Sequence, residues 1–228
     1  MKKAHLVILT AFALVAALTL GTAYAADKGG VYVGVKGGYE YMDHNKASVT
    51  STNGQNATSE SRSDKSGYTV GGAIGYNFAG TGLPVRAEAE YLYHDQFKYS
   101  AVNGTAAGST GAFTSKIDVH TAFANFYYDI KTSTAFTPYV GAGLGVAWIN
   151  QKVDTSFAGG TSGNYDTTNF AWNVGAGVGY SLTDNIIIDL GYRYTSFGDA
   201  KKYDTGTVSF QTKDLNSHEA LLGLRYQF

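Results

Sequence analysis

The stretch that decides the fold is SHEALLGLRYQF, residues 217–228, at the end of the chain. Uncharged residues occupy every second position here, and charged residues such as Glu219 and Arg225 lie between them. Side chains that follow one another along a β-strand point to opposite faces. This alternation therefore predicts a strand with one uncharged and largely apolar face, formed by His218, Ala220, Leu222, Leu224, Tyr226 and Phe228.

The same alternation recurs along the chain, and predicts strands at 31–42, 67–78, 84–94, 117–130, 138–149, 169–180, 185–196 and 217–228. The links between them are alternately short (79–83, 131–137, 181–184) and long (43–66, 95–116, 150–168, 197–216). An even number of strands of about ten residues, with short turns at one end and long loops at the other, is typical of bacterial outer-membrane proteins. We predict an all-β fold, an eight-stranded antiparallel up-and-down transmembrane β-barrel with both termini in the periplasm.

The direction in which each face points needs a separate argument, because a soluble barrel would bury the apolar face. Glycines are frequent on the other face, which suits a narrow interior. Aromatic residues gather at both ends of the strands, as in the two girdles that meet lipid headgroups. We therefore expect the apolar face to contact lipid and the other face to line the lumen. That inner face carries a lumen charge network of Lys36, Glu40, Arg86, Glu88, Glu90, Asp129, Asp189, Arg193, Glu219 and Arg225.

Charges inside so narrow a barrel should be paired, because an isolated buried charge is very costly. Strand order suggests the pairs Arg86 with Asp129, Arg193 with Glu219, Arg225 with Asp189, and Lys36 with Glu88 or Glu90. Four cations face six carboxylates, so a water molecule or a shared proton could complete the set. Two interpretations stay open: a structural plug, or a narrow gate whose pairs exchange partners and admit ions.

The first residues have the features of a secretory signal peptide. Lys2 and Lys3 precede an apolar run from Leu6 to Leu20, and Ala23-Tyr24-Ala25 matches a cleavage site. We predict a signal peptide at 1–25 and a barrel domain at 26–228. The 228 residues include no cysteine, and a net charge of −1 gives no reason to expect nucleic acid as a partner.

The long links are the candidate recognition surface. Link 43–66 is polar and rich in Ser, Thr and Asn, which predicts mobility. The other three add aromatic residues, among them Phe97, Phe157 and Phe197. These aromatics could form an adhesive surface for a host or surface ligand, or they could pack on one another or rest on lipopolysaccharide.

Catalytic and metal sites are not indicated. His94 and His120 fall on adjacent strands near Asp95 and Asp118, but the sequence has no metal-binding motif, so we expect histidines at the outer rim and no metal or cofactor. Ser217-His218-Glu219 contains the residue types of a catalytic triad, yet neighbours on a strand cannot meet. We expect no enzymatic activity.

Four segments carry a family resemblance: VRAEAEYLYH (85–94), FANFYYDI (123–130), TPYVGAGLGVAW (137–148) and LLGLRYQF (221–228). They resemble small outer-membrane barrels of the opacity-protein and OmpA membrane-domain type. The resemblance covers the chain from residue 26 onward and implies location in the cell outer membrane, with lipid and lipopolysaccharide around the barrel. Tyr226 and Phe228 resemble the terminal signal that the barrel-assembly machinery reads in that family.

The resemblance also sets the functional expectation: an integral outer-membrane protein with mobile surface loops, a structural or adhesion/surface-antigen role and no open pore. The alternative is a narrow porin-like channel for ions or small solutes. Host-receptor binding by some opacity proteins resides in variable loops, and we match no residue to it. OmpA-type proteins carry a cell-wall-binding domain after the barrel; the sequence ends at Phe228, so we do not expect that activity here.

Overall fold

The fold is almost entirely β-structure. The computed structural model describes residues 29–51, 61–63, 66–106, 109–155, 163–198, 203–204 and 208–228, so the predicted signal peptide at 1–25 lies outside the described residues. The strands are β1 (Gly30–Ser51), β2 (Ser61–Ser63), β3 (Ser66–Asn77), β4 (Val85–Ala106), β5 (Ser109–Asp129), β6 (Phe136–Thr155), β7 (Gly163–Ser181), β8 (Ile186–Gly198), β9 (Tyr203–Asp204) and β10 (Val208–Gln227). One 3-10 turn, Phe78–Thr81, follows β3.

Eight of these strands form a closed ring, which confirms the predicted fold. Each pairs with its neighbours in the order β1-β3-β4-β5-β6-β7-β8-β10, and β10 pairs back onto β1, all antiparallel. The short β2 and β9 add to β4 and β10. Among the described residues no helix is both long and apolar enough to cross a membrane.

The two ends of the barrel differ. At one end β3 and β4 are joined by the 3-10 turn, which Gly82 ends with a φ of +86°. The first and last strands also begin and end there, where the Phe228 N–H donates to the Val31 carbonyl at 3.0 Å. Short turns and both termini mark the periplasmic end in outer-membrane barrels. The opposite end is therefore the outer one.

The strands are longer at the outer end than we predicted. Link 95–116 is almost wholly strand, with β4 and β5 paired as far as Ala106 and Ser109. β1 runs to Ser51 and pairs with β10 as far as Val208, so residues 43–51 and 208–216 of two predicted links are strand. The alternation of apolar and polar residues fails to mark these extensions, because both faces of a strand meet water beyond the membrane.

The sidedness prediction is confirmed for the strands that cross the membrane. Leu144 and Leu222 are 62% and 59% exposed on the outer surface. Arg193 and Glu88, which lie on the other face, are buried inside the barrel. The barrel thus turns an apolar surface toward lipid and keeps charged side chains in its lumen. This is the alternation of lipid-facing and lumen-facing residues that is typical of such proteins.

Candidate functional site

The lumen is the candidate functional site, and its periplasmic end holds two charged pairs between neighbouring strands. Arg86 on β4 binds Asp129 on β5 with both ends of its guanidinium, at 2.7 and 2.9 Å. Arg225 on β10 binds Asp189 on β8 in the same manner, at 2.5 and 3.0 Å. Two parallel bonds fix the plane of each guanidinium, so these pairs hold neighbouring strands together.

Lys36 occupies the middle of the lumen. Its ammonium group donates to Glu88 and, at 2.6 Å, to Glu90, so it contacts both of the candidate partners that the sequence suggested. The hydroxyl groups of Tyr32 and Tyr127 also donate to Glu88, at 3.0 and 3.1 Å. The Glu88 carboxylate is thereby held by three donors from two other strands, β1 and β5.

Arg193 joins opposite walls toward the outer end. Its guanidinium binds Glu219 on the neighbouring strand β10, at 2.6 and 3.1 Å. A further nitrogen of the same group reaches Glu90 on β4 at 2.5 Å. Thr195 donates to the remaining oxygen of Glu219 at 2.6 Å. The Arg193–Glu90 bond was not among the pairs that we predicted, since those were confined to adjacent strands and to Lys36.

Glu40 lies at the same level and is paired with a histidine. His94 Nδ1 is 2.8 Å from Glu40 Oε2, and the other ring nitrogen is 3.1 Å from the Thr121 hydroxyl. Ser217 donates to Glu40 Oε2 at 3.2 Å. Our expectation of a histidine at the outer rim is wrong for His94, which is fully buried. It continues the inward phase of Glu88 and Glu90, and that phase was the signal for its position.

Inward-facing tyrosines fill space beside the charges, and sequence reasoning missed them. Each ring lies over a glycine of a neighbouring strand, where an added Cβ would come within about 2.5 Å of the ring. Arg86 lies over two of these rings, with distances of 4.6 and 5.1 Å to the centroids. Their position on the inward phase would have identified them. The pairs are Tyr32 with Gly75, Tyr127 with Gly141, and Tyr139 with Gly177.

Above the charges the lumen holds a cluster of buried apolar side chains, which we name the apolar seal. We had expected Phe197 in a surface loop; instead it is fully buried in β8, and its ring meets His94 at 5.1 Å between centroids. The prediction failed because we ended the strand at residue 196. The members of the apolar seal are Met42, Val119, Phe123, Ala147, Ile149, Ala171, Phe197 and Leu215.

A cavity of about 50 Å³ remains among the charges below the apolar seal. Lys36, Arg86, Asp189 and Arg193 line part of its wall. Its size suits a few water molecules, and its polar lining offers them hydrogen-bond partners. The cavity is therefore suited to hydrating the charged pairs.

The residues of the possible triad point in different directions. Ser217 and Glu219 are buried in the lumen, whereas His218 is on the lipid-facing surface, where its Nδ1 is 2.6 Å from the Tyr192 hydroxyl. These three cannot act together on a substrate. His120 on the opposite side of the barrel makes the matching outward contact with Tyr91, at 2.8 Å. The outward histidines are thus packed with girdle aromatics.

The terminal aromatics lie on the outer surface near the periplasmic end. Tyr226 and Phe228 are 46% and 67% exposed, and their rings meet edge to face at 5.1 Å. Between them Gln227 faces inward and its side chain donates to the Val31 carbonyl at 3.0 Å. The last residues therefore close the barrel against β1.

Comparison with known proteins identifies the family. The outer membrane protein beta-barrel domain family matches residues 10–228. Outer membrane protein PagN of Salmonella typhimurium is 30% identical, over 91% of this chain and 93% of its own. Opacity protein opA67 of Neisseria gonorrhoeae is 25% identical, over 68% and 76%.

A solved structure supports the fold alone. The outer membrane protein OprG of Pseudomonas aeruginosa is 18% identical, covers 88% of this chain and 98% of its own, and superimposes with a TM-score of 0.58. The family match spans nearly the whole chain, and the relatives that share sequence with the chain are outer-membrane proteins. The chain therefore belongs to the outer membrane protein beta-barrel family and lies in the outer membrane.

Proposed function

We propose that this protein is a closed outer-membrane barrel that displays its outer hairpins at the cell surface, in a structural, surface-antigen or adhesive role, and that it neither conducts solutes nor catalyses a reaction. The observation that carries this proposal is that two layers of buried side chains occupy the lumen. The charge network crosses the barrel from wall to wall, and the apolar seal lies above it.

The two layers oppose ion passage by different means. In the charge network each described cation is held by one or two carboxylates, so an entering ion would have to break buried pairs. An ion crossing the apolar seal would lose its water without gaining polar partners, which is how hydrophobic constrictions close channels. Either layer alone would hinder ions, and together they support a plug.

The display role rests on the length of the outer hairpins. With two irregularities in register, β4 and β5 pair as far as Ala106, twelve residues beyond His94, the last inward polar side chain described on β4. At about 3.4 Å per residue this is roughly 40 Å of strand above the lumen charges. Such hairpins can reach past the lipid headgroups and carry recognition on a rigid scaffold. Lipopolysaccharide and a host or surface ligand are the partners we propose for them.

A conductance measurement tests whether the lumen is closed to ions. The purified protein, reconstituted in planar lipid bilayers, should give no steady current above that of protein-free bilayers. A general porin reconstituted in the same way is the positive control. Large, steady currents from the wild-type protein would favour the alternative function, a narrow channel for ions or small solutes.

Shortening one hairpin tests the display role. Residues 98–116 can be replaced by Asn-Gly, which favours a tight hairpin turn between Phe97 and Ile117, a cross-strand pair. The membrane barrel should still assemble and show the gel shift on boiling that is typical of compact barrels. Adherence of a non-adherent Gram-negative strain that expresses the protein should fall to background. Equal adherence with and without this hairpin would count against a role for it.

A further inference from the structure

Two glutamates face each other directly inside the barrel. Glu40 on β1 and Glu219 on β10 form a cross-strand pair, and both are fully buried. Like charges at directly opposed positions destabilise a sheet, and the low dielectric of the interior increases their repulsion. The arrangement needs a positive charge that the pair itself does not supply.

The lysine and arginine side chains nearby do not supply this positive charge. At the periplasmic end, the pairs of Arg86 and Arg225 with their aspartates are each balanced. At the level of Glu40 and Glu219 and just below it there are four carboxylates but only two Lys or Arg cations among the described residues, and Lys36 and Arg193 pair with the other three carboxylates and not with Glu40. Two negative charges are therefore in excess, and they fall at the outer end of the charge network.

One carboxylate oxygen at this position also has no partner. Glu40 Oε2 accepts from Ser217 and contacts His94, but Glu40 Oε1 is buried and receives no hydrogen bond from any residue that the structure describes. Leaving a buried charged acceptor unsatisfied is costly. A cation bound at Glu40 would satisfy this oxygen and offset the excess charge together.

The ligand atoms for such a cation are present and close. One donor atom each from Glu40, His94 and Glu219 can be chosen so that all lie within 4.8 Å of one another. Bonds of about 2.0–2.2 Å to nitrogen and oxygen would require these atoms to move closer by small side-chain rotations. We propose that Glu40, His94 and Glu219 form a binding site for one divalent transition-metal ion, with Zn²⁺ as the type that best suits one imidazole and two carboxylates.

The surrounding groups would orient these ligands. The Thr121 hydroxyl lies 3.1 Å from His94 Nε2, so it can accept that N–H and leave Nδ1 free to bind the ion. Thr195 and Arg193 hold the carboxylate of Glu219. Partners of this kind fix the tautomer and the orientation of metal ligands. The three ligands come from β1, β4 and β10, and the groups that orient them come from β5 and β8. An ion there would therefore tie together much of the outer half of the barrel.

Because Phe197 covers His94, the ion should be supplied during folding. The protein is refolded from urea into detergent micelles with one equivalent of Zn²⁺, passed through gel filtration with a chelator, and its bound zinc is measured. Only protein with the folded mobility on an unboiled gel is compared. Refolding with Co²⁺ gives a second measurement, the visible absorption bands of the coordinated ion.

The expected result is retention of one Zn²⁺ per folded chain. His94→Asn and Glu40→Gln should weaken binding by more than the roughly 10–100-fold that loss of a group orienting the ligands costs. His120→Asn is the matched control, since that histidine faces outward, and it should retain the ion. Wild-type protein that retains no metal would overturn the site whichever variants fold. If His94→Asn retained as much metal as the wild type, the site would also be overturned, because the ion would then bind elsewhere.

Discussion

Arg193 and Glu90 form a salt bridge of 2.5 Å across the lumen, from β8 to β4. These strands are four positions apart in a ring of eight, so the bond joins diametrically opposite walls. The same guanidinium binds Glu219 on the neighbouring strand. Arg193 is thus the one member of the charge network, among the described contacts, that joins β8 both to its neighbour and to the far wall.

Removing Arg193 should therefore destabilise the barrel strongly. Arg193→Ala leaves Glu90 with Lys36 alone and leaves the Glu219 carboxylate buried with Thr195 as its described side-chain donor. Breaking a buried pair by removing one partner costs about 3–5 kcal/mol. The measurement is the free energy of unfolding in urea in micelles, followed by the gel shift. Lys152→Ala, at an exposed position of β6, should change it by less than about 0.5 kcal/mol. Equal effects of the two substitutions would contradict the network.

The apolar seal and the charge network should act as barriers in series. Phe197→Ala opens a cavity in the apolar seal, with a cost of about 3–5 kcal/mol in stability, but the salt bridges below it remain. We expect no steady current in bilayers from Phe197→Ala or from Arg193→Ala alone. The double variant should conduct. A double variant that folds and stays closed would mean that other groups block the lumen.

The sequence was sufficient to predict the membrane-spanning part of the fold, because burial there follows strand alternation. Leu222 and Arg225 lie on opposite faces as their spacing requires. The outer extensions of β4 and β5 could not be predicted in this way. Beyond the membrane strand pairing does not require an apolar face, so the sequence need not carry a period that separates strand from loop.

The contacts inside the lumen could likewise be predicted only in part. Pairs on adjacent strands, such as Arg86 with Asp129, follow from strand order and depth alone. The Arg193–Glu90 bond depends on the ring closing at a diameter that one long side chain can cross, which no local pattern specifies. The predicted positions of His94 and Phe197 were wrong for a simpler reason. We did not extend the inward-facing alternation to the outer ends of their strands.

The lipid-facing surface should be sensitive to charge according to depth. Leu222 lies near the middle of β10's membrane-spanning part and is 59% exposed, so Leu222→Arg would place a cation in the bilayer core. The expected cost is about 2–4 kcal/mol in lipid vesicles. Val31→Arg, near the periplasmic end, should cost about 0–1 kcal/mol. Urea titrations in the same vesicles measure both. Similar costs at the two depths would contradict the membrane placement.

Phe228 offers a test of whether the terminal aromatics act in assembly. Its ring is 67% exposed and contacts Tyr226, so the folded barrel gains little stability from it. If the barrel-assembly machinery reads this ring, Phe228→Ala should lower the amount of folded protein in the outer membrane several-fold while refolding into micelles is unchanged. The matched control is Phe126→Ala, since that ring is 66% exposed on the same surface. Equal yields of the two variants in cells would indicate that Phe228 serves only as a lipid contact.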